Sequence, residues 1–361
     1  SQTDQPGYTA RQAERPQKRV ILDNIHAMLQ HKLIPAARHN WQRQMAEAVR
    51  DPAELLTLLE LPHDLLPVSA AAARQFALRV PRGFVARMKK GDPNDPLLRQ
   101  VLPLDAEMRQ APGFDRDPVG DHAAVVQPGL LQKYQGRVLV MTTAACGIHC
   151  RYCFRRHFPY QEQAARPSRW QAICDTIAAD TSIHEVILSG GDPLSLADAQ
   201  LTQLVQGLEQ IPHLKRLRIH SRQPVVLPQR VDDALLSWLG HCKLKTVMVI
   251  HCNHANEIDA SVRRALAKLQ AIGVPLFNQA VLLRGVNDDV TQLYRLSETL
   301  FESGVMPYYL HLLDKVQGAV HFEVDRQTAQ ALVMQLRRRL PGYLVPRLVE
   351  EVAQAAYKQP L

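Results

Sequence analysis

Apolar side chains recur along this chain with two different periods, and the change of period divides it. Residues 1–18 are polar with scattered charge, which predicts a loosely held arm. At 20–29 and again at 41–49 the apolar positions fall at three- and four-residue intervals, the repeat of one helical face. Pro52 suits the first turn of a further helix that residues 54–61 continue. Leucine and aromatic stripes at this spacing are packing faces rather than ligand sites. The stretch 79–103 is turn-rich and then briefly apolar. Within it Asn94-Asp95-Pro96 marks a turn, because Asn and Asp side chains bond their own backbone and proline fixes φ. Residues 115–129, rich in Asp, Pro and Gly, predict a linker.

From Gly136 the period shortens. Short β-branched or apolar runs at 137–142, 185–188, 217–220, 246–250, 274–281 and 308–312 predict six strands. Helix-like stretches such as 201–210 and 260–272 fall between them. Strands alternating with helices predict an α/β fold with a parallel sheet, and six such units predict an incomplete (β/α)6 barrel. The divisions expected are 1–120 (arm, helical region and linker), 121–330 (β/α core) and 331–361 (C-terminal segment). In that architecture reactive groups gather on the loops that follow the strands.

Composition narrows the class without naming a chemistry. A chain of 361 residues, 46% hydrophobic and 22% charged, can bury a sizeable core. No apolar run reaches the length of a membrane span, and the polar N-terminus lacks a signal-peptide core, so a cytoplasmic protein with no membrane partner is expected. The formal charge of +8 permits an acidic partner, but lysines and arginines are dispersed, so no nucleic-acid partner is expected.

The loop after the first predicted strand carries Cys146, Cys150 and Cys153, spaced C-x-x-x-C-x-x-C. Three thiolates so close in sequence suit a 4Fe-4S cluster, which ordinarily takes four protein ligands, so one iron is left open to bind substrate or cofactor. Zinc closed by His149 or His157 is the alternative, although structural zinc sites draw their ligands from two well-separated arms. Disulfides do not fit six cysteines in a chain without a secretory signal. Cys174 and Cys242 read as core thiols. After the second strand, Gly190-Gly191-Asp192 allows close backbone approach to a ligand and supplies a carboxylate able to hold a cation. After the fourth, His251-Cys252-Asn253-His254 leaves open metal ligation or plain hydrogen bonding. Asp314 follows the sixth strand, where it either caps the next segment or faces a ligand.

Read together, C-x-x-x-C-x-x-C and its continuation Cys150-Arg-Tyr-Cys153-Phe-Arg155-Arg156 resemble the radical S-adenosylmethionine (SAM) enzymes and, within them, the lysine 2,3-aminomutase family. Matches to that family run from roughly Arg79 to Lys358. They include a D-P-N-D-P segment at 92–96, H-x-N-H-x-N-E at 251–257, the run 278–288 and G-Y-x-V-P at 342–346. The resemblance implies a radical SAM barrel and places Gly190, Gly191, Asp192 and His251 beside SAM. It further implies Arg137 and Gln279 on the phosphate of pyridoxal 5'-phosphate (PLP), Lys358 as the lysine that carries PLP, Arg155 on the substrate carboxylate and Asp314 on its ε-ammonium. Two departures stand out: Ala353-Gln-Ala-Ala-Tyr357 replaces the family's glycine-rich run, and Glu351 stands where the family has a second ammonium-facing aspartate.

The implied reaction converts L-lysine to (R)-β-lysine by radical migration of the amino group, with an electron donor such as a flavodoxin or ferredoxin. Within the family the chain is most similar to bacterial members that serve the modification of elongation factor P with its lysyl ligase. A radical enzyme acting on another amino acid or on a protein-bound lysine, a non-catalytic iron-sulfur protein and a zinc-dependent nucleic-acid binder are the alternatives.

Overall fold

The computed structural model describes residues 40–159, 164 and 166–361. The arm at 1–18 and the helix expected at 20–29 lie outside the described residues. Residues Trp41–Leu361 form one compact unit. A single sheet holds ten strands in chain order. They are β1 (Val125–Gln127), β2 (Leu130–Tyr134), β3 (Arg137–Thr143), β4 (Glu185–Gly190), β5 (Arg216–Ser221), β6 (Lys245–His251), β7 (Leu276–Val281), β8 (Met306–His311), β9 (Arg347–Glu350) and β10 (Gln359–Pro360). Neighbours are parallel from β3 through β9 and antiparallel at β1–β2, β2–β3 and β9–β10.

The six expected strands are β3 to β8. Two features depart from expectation. A seventh parallel strand, β9, joins the sheet from the segment expected to lie beyond it. The stretch 115–129 is not a linker: it contains β1, a 3-10 turn at His122–Ala124 and Asp121, which is only 1% exposed.

Strand alternation sets what faces where. In β4, Val186 and Leu188 enter the main apolar core while Ile187 and Ser189 face a cavity on the opposite side. In β5 the same split separates Leu217 and Ile219 from Arg218 and His220. The outer core is completed by crossover helices, through side chains such as Ile173, Leu204, Leu266 and Leu296. Each fully buried Leu or Ile there contributes about 1.5–3 kcal/mol. Four of these helices begin on an aspartate: Asp232, Asp259, Asp289 and Asp325 each accept a first-turn amide.

Every strand from β2 to β9 contributes to the lining of one cavity of about 740 Å³. Eight strands laid flat would be roughly 34 Å across at the usual spacing, so the sheet must curve around that space. A second core, with Trp41, Leu55, Phe84 and Leu97, packs the N-terminal helices against Ile148 of the cysteine loop and Val226 beyond β5. The N-terminal region therefore holds the loops at the strands' C-terminal ends.

Candidate active site

The cysteine loop leaves β3 and passes hard against the end of β4. Gly190 has φ of +121°, and a Cβ there would stand 2.7 Å from the Thr143 carbonyl oxygen. A Cβ at Gly191 would stand 2.5 Å from that of Ala145. The gap between the strands admits only glycine. The amides of Gly191 and Asp192 donate to Thr143 and Ala145 at 2.7 and 2.8 Å. The glycine pair thus clamps the cysteine loop, and those two amides are already engaged. The Asp192 carboxylate is likewise engaged, accepting from Ser221 Oγ and from the amides of Leu194, Arg222 and Gln223. Burial raises it to about 6 against those hydrogen bonds.

From the other side the loop is held by distant residues. His149 N donates to Arg79 O at 3.0 Å and Arg151 N to Gln100 O at 2.9 Å. Arg151 is fully buried and its guanidinium meets both oxygens of Glu107, at 2.8 and 2.6 Å, while Arg156 Nη2 reaches the same carboxylate at 2.7 Å. One buried carboxylate therefore fixes two arginines that bracket Cys153.

Cys146, Cys150 and Cys153 are free thiols on the cavity wall. Burial and their mutual proximity push Cys146 well above the ordinary thiol range and Cys153 to about 11. Arg222, 6% exposed, donates to Cys150 Sγ at 2.7 Å. Three thiols from one loop on one wall fit the 4Fe-4S cluster. The histidines offered as zinc ligands are otherwise engaged, His149 Nδ1 with Ala77 O at 2.8 Å and His157 Nε2 with Gln317 O at 3.1 Å.

The loop after β6 is also a hydrogen-bond lattice. His254 Nδ1 accepts from Asn256 N, its Nε2 meets Gln292, and the buried Cys252 thiol donates to His254 O. Glu257, fully buried, accepts from the amides of Asn253 and His254, from Gln100 and from Arg222. These contacts favour hydrogen bonding over metal ligation. His251 faces the cavity, stacks on Tyr152 and meets its hydroxyl at 2.9 Å; burial holds the imidazole neutral.

Arg137, Gln279, Asp314 and Lys358 line the same cavity, as do Arg155 and Glu351. Arg137 rests on the Tyr134 ring at 4.7 Å. Asp314 accepts no side-chain hydrogen bond from the described residues, and burial raises it to about 7, opposed by Lys358 and assisted by Glu351. Arg155 is oriented through Nε to Asp121 at 2.6 Å and through Nη1 to Ser189 at 3.2 Å. Burial opposes ionisation of Asp121, but Arg155 and Lys133 hold it at about 2. Lys358 pairs with Glu351, which also accepts from Tyr134 at 2.7 Å. A lysine so near the end of the sequence would ordinarily fray. Here β10 pairs Gln359 with Glu350 and Pro360 with Val349, which fixes Lys358 on the wall.

Several site residues escaped sequence reasoning. Glu107, Asp121, Lys133 and Arg222 carry no local motif. His220 and His311 did carry a signal, as polar residues at alternate positions of predicted strands, on the face that lines the cavity. Each has a buried Nε2 without a hydrogen-bond partner among the described residues, and burial together with nearby cations, Lys358 among them, holds both neutral. Orphaned buried nitrogens, an arginine resting on a ring and an enclosed lysine fit a polar aromatic cofactor such as PLP. The cavity volume falls within the usual ligand-site range.

Residues 134–218 match the family model described as a 4Fe-4S single cluster domain. An L-lysine 2,3-aminomutase from Escherichia coli is 49% identical over 90% of this chain and 95% of its own. That from Haemophilus influenzae is 49% identical over 87% and 93%. Among solved structures, a radical SAM methyltransferase from Sphaerobacter thermophilus aligns over 61% of this chain and 68% of its own, at 14% identity and a TM-score of 0.42. No helix among the described residues is long and apolar enough to cross a membrane.

Proposed function

Because the chain belongs to the L-lysine 2,3-aminomutase family, we propose that it is an isomerase converting L-lysine to (R)-β-lysine, with a 4Fe-4S cluster, SAM and PLP. One observation carries this reading: a single cavity is bounded by three thiols on one wall and by Lys358 and Asp314 on another. When bound, the cluster and SAM supply a carbon-centred radical and PLP carries the migrating amino group, chemistry that side chains do not provide.

The chain's own residues bind and orient. Cys146, Cys150 and Cys153 hold the cluster, while the clamp at Gly190 and Gly191, tied by Asp192, and the neutral His251 shape the SAM end of the curved sheet, an incomplete β/α barrel. Lys358 anchors PLP once freed from Glu351, and Arg137 and Gln279 take its phosphate; a planar guanidinium suits that anion. Arg155, held in one orientation by Asp121 and Ser189, receives the substrate carboxylate. Asp314 receives the ε-ammonium, and a carboxylate and a guanidinium at two fixed places select the length of lysine. The electron comes from a flavodoxin or ferredoxin, and the product serves the modification of elongation factor P.

The test is anaerobic reconstitution with dithionite, SAM, PLP and L-lysine, following β-lysine and 5'-deoxyadenosine by mass spectrometry. β-Lysine is expected from the wild type and not from Lys358→Ala. Deoxyadenosine without β-lysine would overturn the substrate assignment while leaving the radical machinery standing.

A further inference from the structure

The cluster loop contains one contact that neither thiol ligation nor the family motif requires. Arg222, at the end of β5, crosses to the cysteine loop and places Nη1 2.7 Å from Cys150 Sγ. The guanidinium is not adventitious. Its Nη2 is fixed by Gln100 Oε1 at 2.7 Å and Glu257 Oε2 at 3.0 Å, and its backbone amide is fixed by Asp192 at 2.7 Å. Gln100 and Glu257 are both fully buried and Arg222 itself is only 6% exposed, so the cation is largely withdrawn from water. Three separate segments thus converge to hold one positive charge against one cysteine sulfur.

We propose that Arg222 sets the reduction potential of the cluster through Cys150, and that Glu257 counterbalances it. The inference rests on the cluster reading above. The electrostatics fix the sign. In taking one electron from a low-potential donor the cluster gains one negative charge, and a cation donating a hydrogen bond to a ligating sulfur stabilises that reduced form. Arg222 therefore raises the potential and makes reduction easier. Glu257, an anion behind the cation, pulls the potential back. Arg222 acts on the cluster through the sulfur and is a positioning residue, not a catalytic one.

The test is a dye-mediated redox titration of the reconstituted full chain without SAM, read by the EPR signal of the reduced cluster, with iron and sulfide assayed per chain. In Arg222→Gln the reduced-to-oxidised ratio at fixed poise is expected to fall about tenfold, equivalent to ~59 mV for a one-electron couple. In Glu257→Gln the ratio is expected to rise. Arg222→Lys keeps the charge and is expected to stay within about threefold of wild type, since the charge is the larger part of the effect. Loosening of the loop would move both glutamine variants the same way, so opposite shifts exclude it. Loaded clusters with unmoved potentials, shifts of one sign, or a tenfold fall in the lysine variant would each overturn the inference. A wild-type chain that binds no iron would instead overturn the cluster reading beneath it.

Discussion

The two walls of the cavity differ in how their carboxylates are held. On the thiol wall the buried carboxylates are satisfied from within the protein, Glu107 by Arg151 and Arg156, Glu257 by Arg222 and Asp192 by four donors, while single nitrogens of Arg156 and Arg222 stay unpartnered among the described residues. Among the described residues of the far wall, Asp314 accepts no side-chain hydrogen bond, Arg137 rests on a ring, and His220 and His311 each bury a nitrogen without a partner. Polar groups left unpaired inside a protein cost about 1–3 kcal/mol each. The thiol wall is a mount whose carboxylates are satisfied from within the protein, while the far wall leaves Asp314 and two imidazole nitrogens unpaired among the described residues even though Glu351 is engaged by Lys358 and Tyr134.

The comparison breaks most visibly at the mount. Glu107→Ala leaves two buried guanidinium groups without their carboxylate and is expected to cost about 3–5 kcal/mol, read by chemical denaturation of the iron-free chain. A loss under about 1 kcal/mol would place the pair in the class of solvent-screened contacts and remove the mount.

The receiving wall should respond in binding rather than in folding. Asp314→Ala is expected to raise the lysine KM by roughly 10- to 100-fold, the worth of a charge-assisted bond, with iron per chain unchanged. Equal loss of iron would make Asp314 structural. The same carboxyl gives a pH signature. Raised by burial to about 7, it is half protonated at neutral pH, and only its ionised form attracts an ammonium. Lysine affinity should therefore weaken as pH falls through 7, by roughly tenfold between about pH 8 and about pH 6, and the trend should vanish in Asp314→Ala.

The smallest effect carries the opposite sign. His311→Leu removes an orphaned nitrogen and is expected to stabilise the ligand-free chain by about 1 kcal/mol while lowering PLP retention after gel filtration. Destabilisation would mean that the imidazole has a partner in solution and that the far wall is not unpaired.

What could be read from sequence follows from how far each feature reaches along the chain. The three cysteines are legible because they lie on one loop, and the strands β3 to β8 because each is a run of apolar residues. Strand β9 has four residues with Arg347 and Glu350 at its ends, too short to establish a period of two. The partners that brace the cluster loop are separated by 44 residues for Glu107 and Arg151, 72 for Cys150 and Arg222, and 122 for Gln100 and Arg222. No local pattern encodes such pairs. Asp121 was hidden differently, within a stretch whose Asp, Pro and Gly content suggested a solvated connection although its carboxylate is buried against Arg155.

The grip of Glu107 on Arg151 and Arg156 also says what gives the cluster loop its shape. In small metal domains the ion supplies the folding free energy, and ligand loops take shape only around it. Here the loop is held by a carboxylate 44 residues before Arg151, together with the helices packed behind it. The loop therefore owes its shape to protein contacts as well as to any cluster, and those contacts reach back to the N-terminal helices.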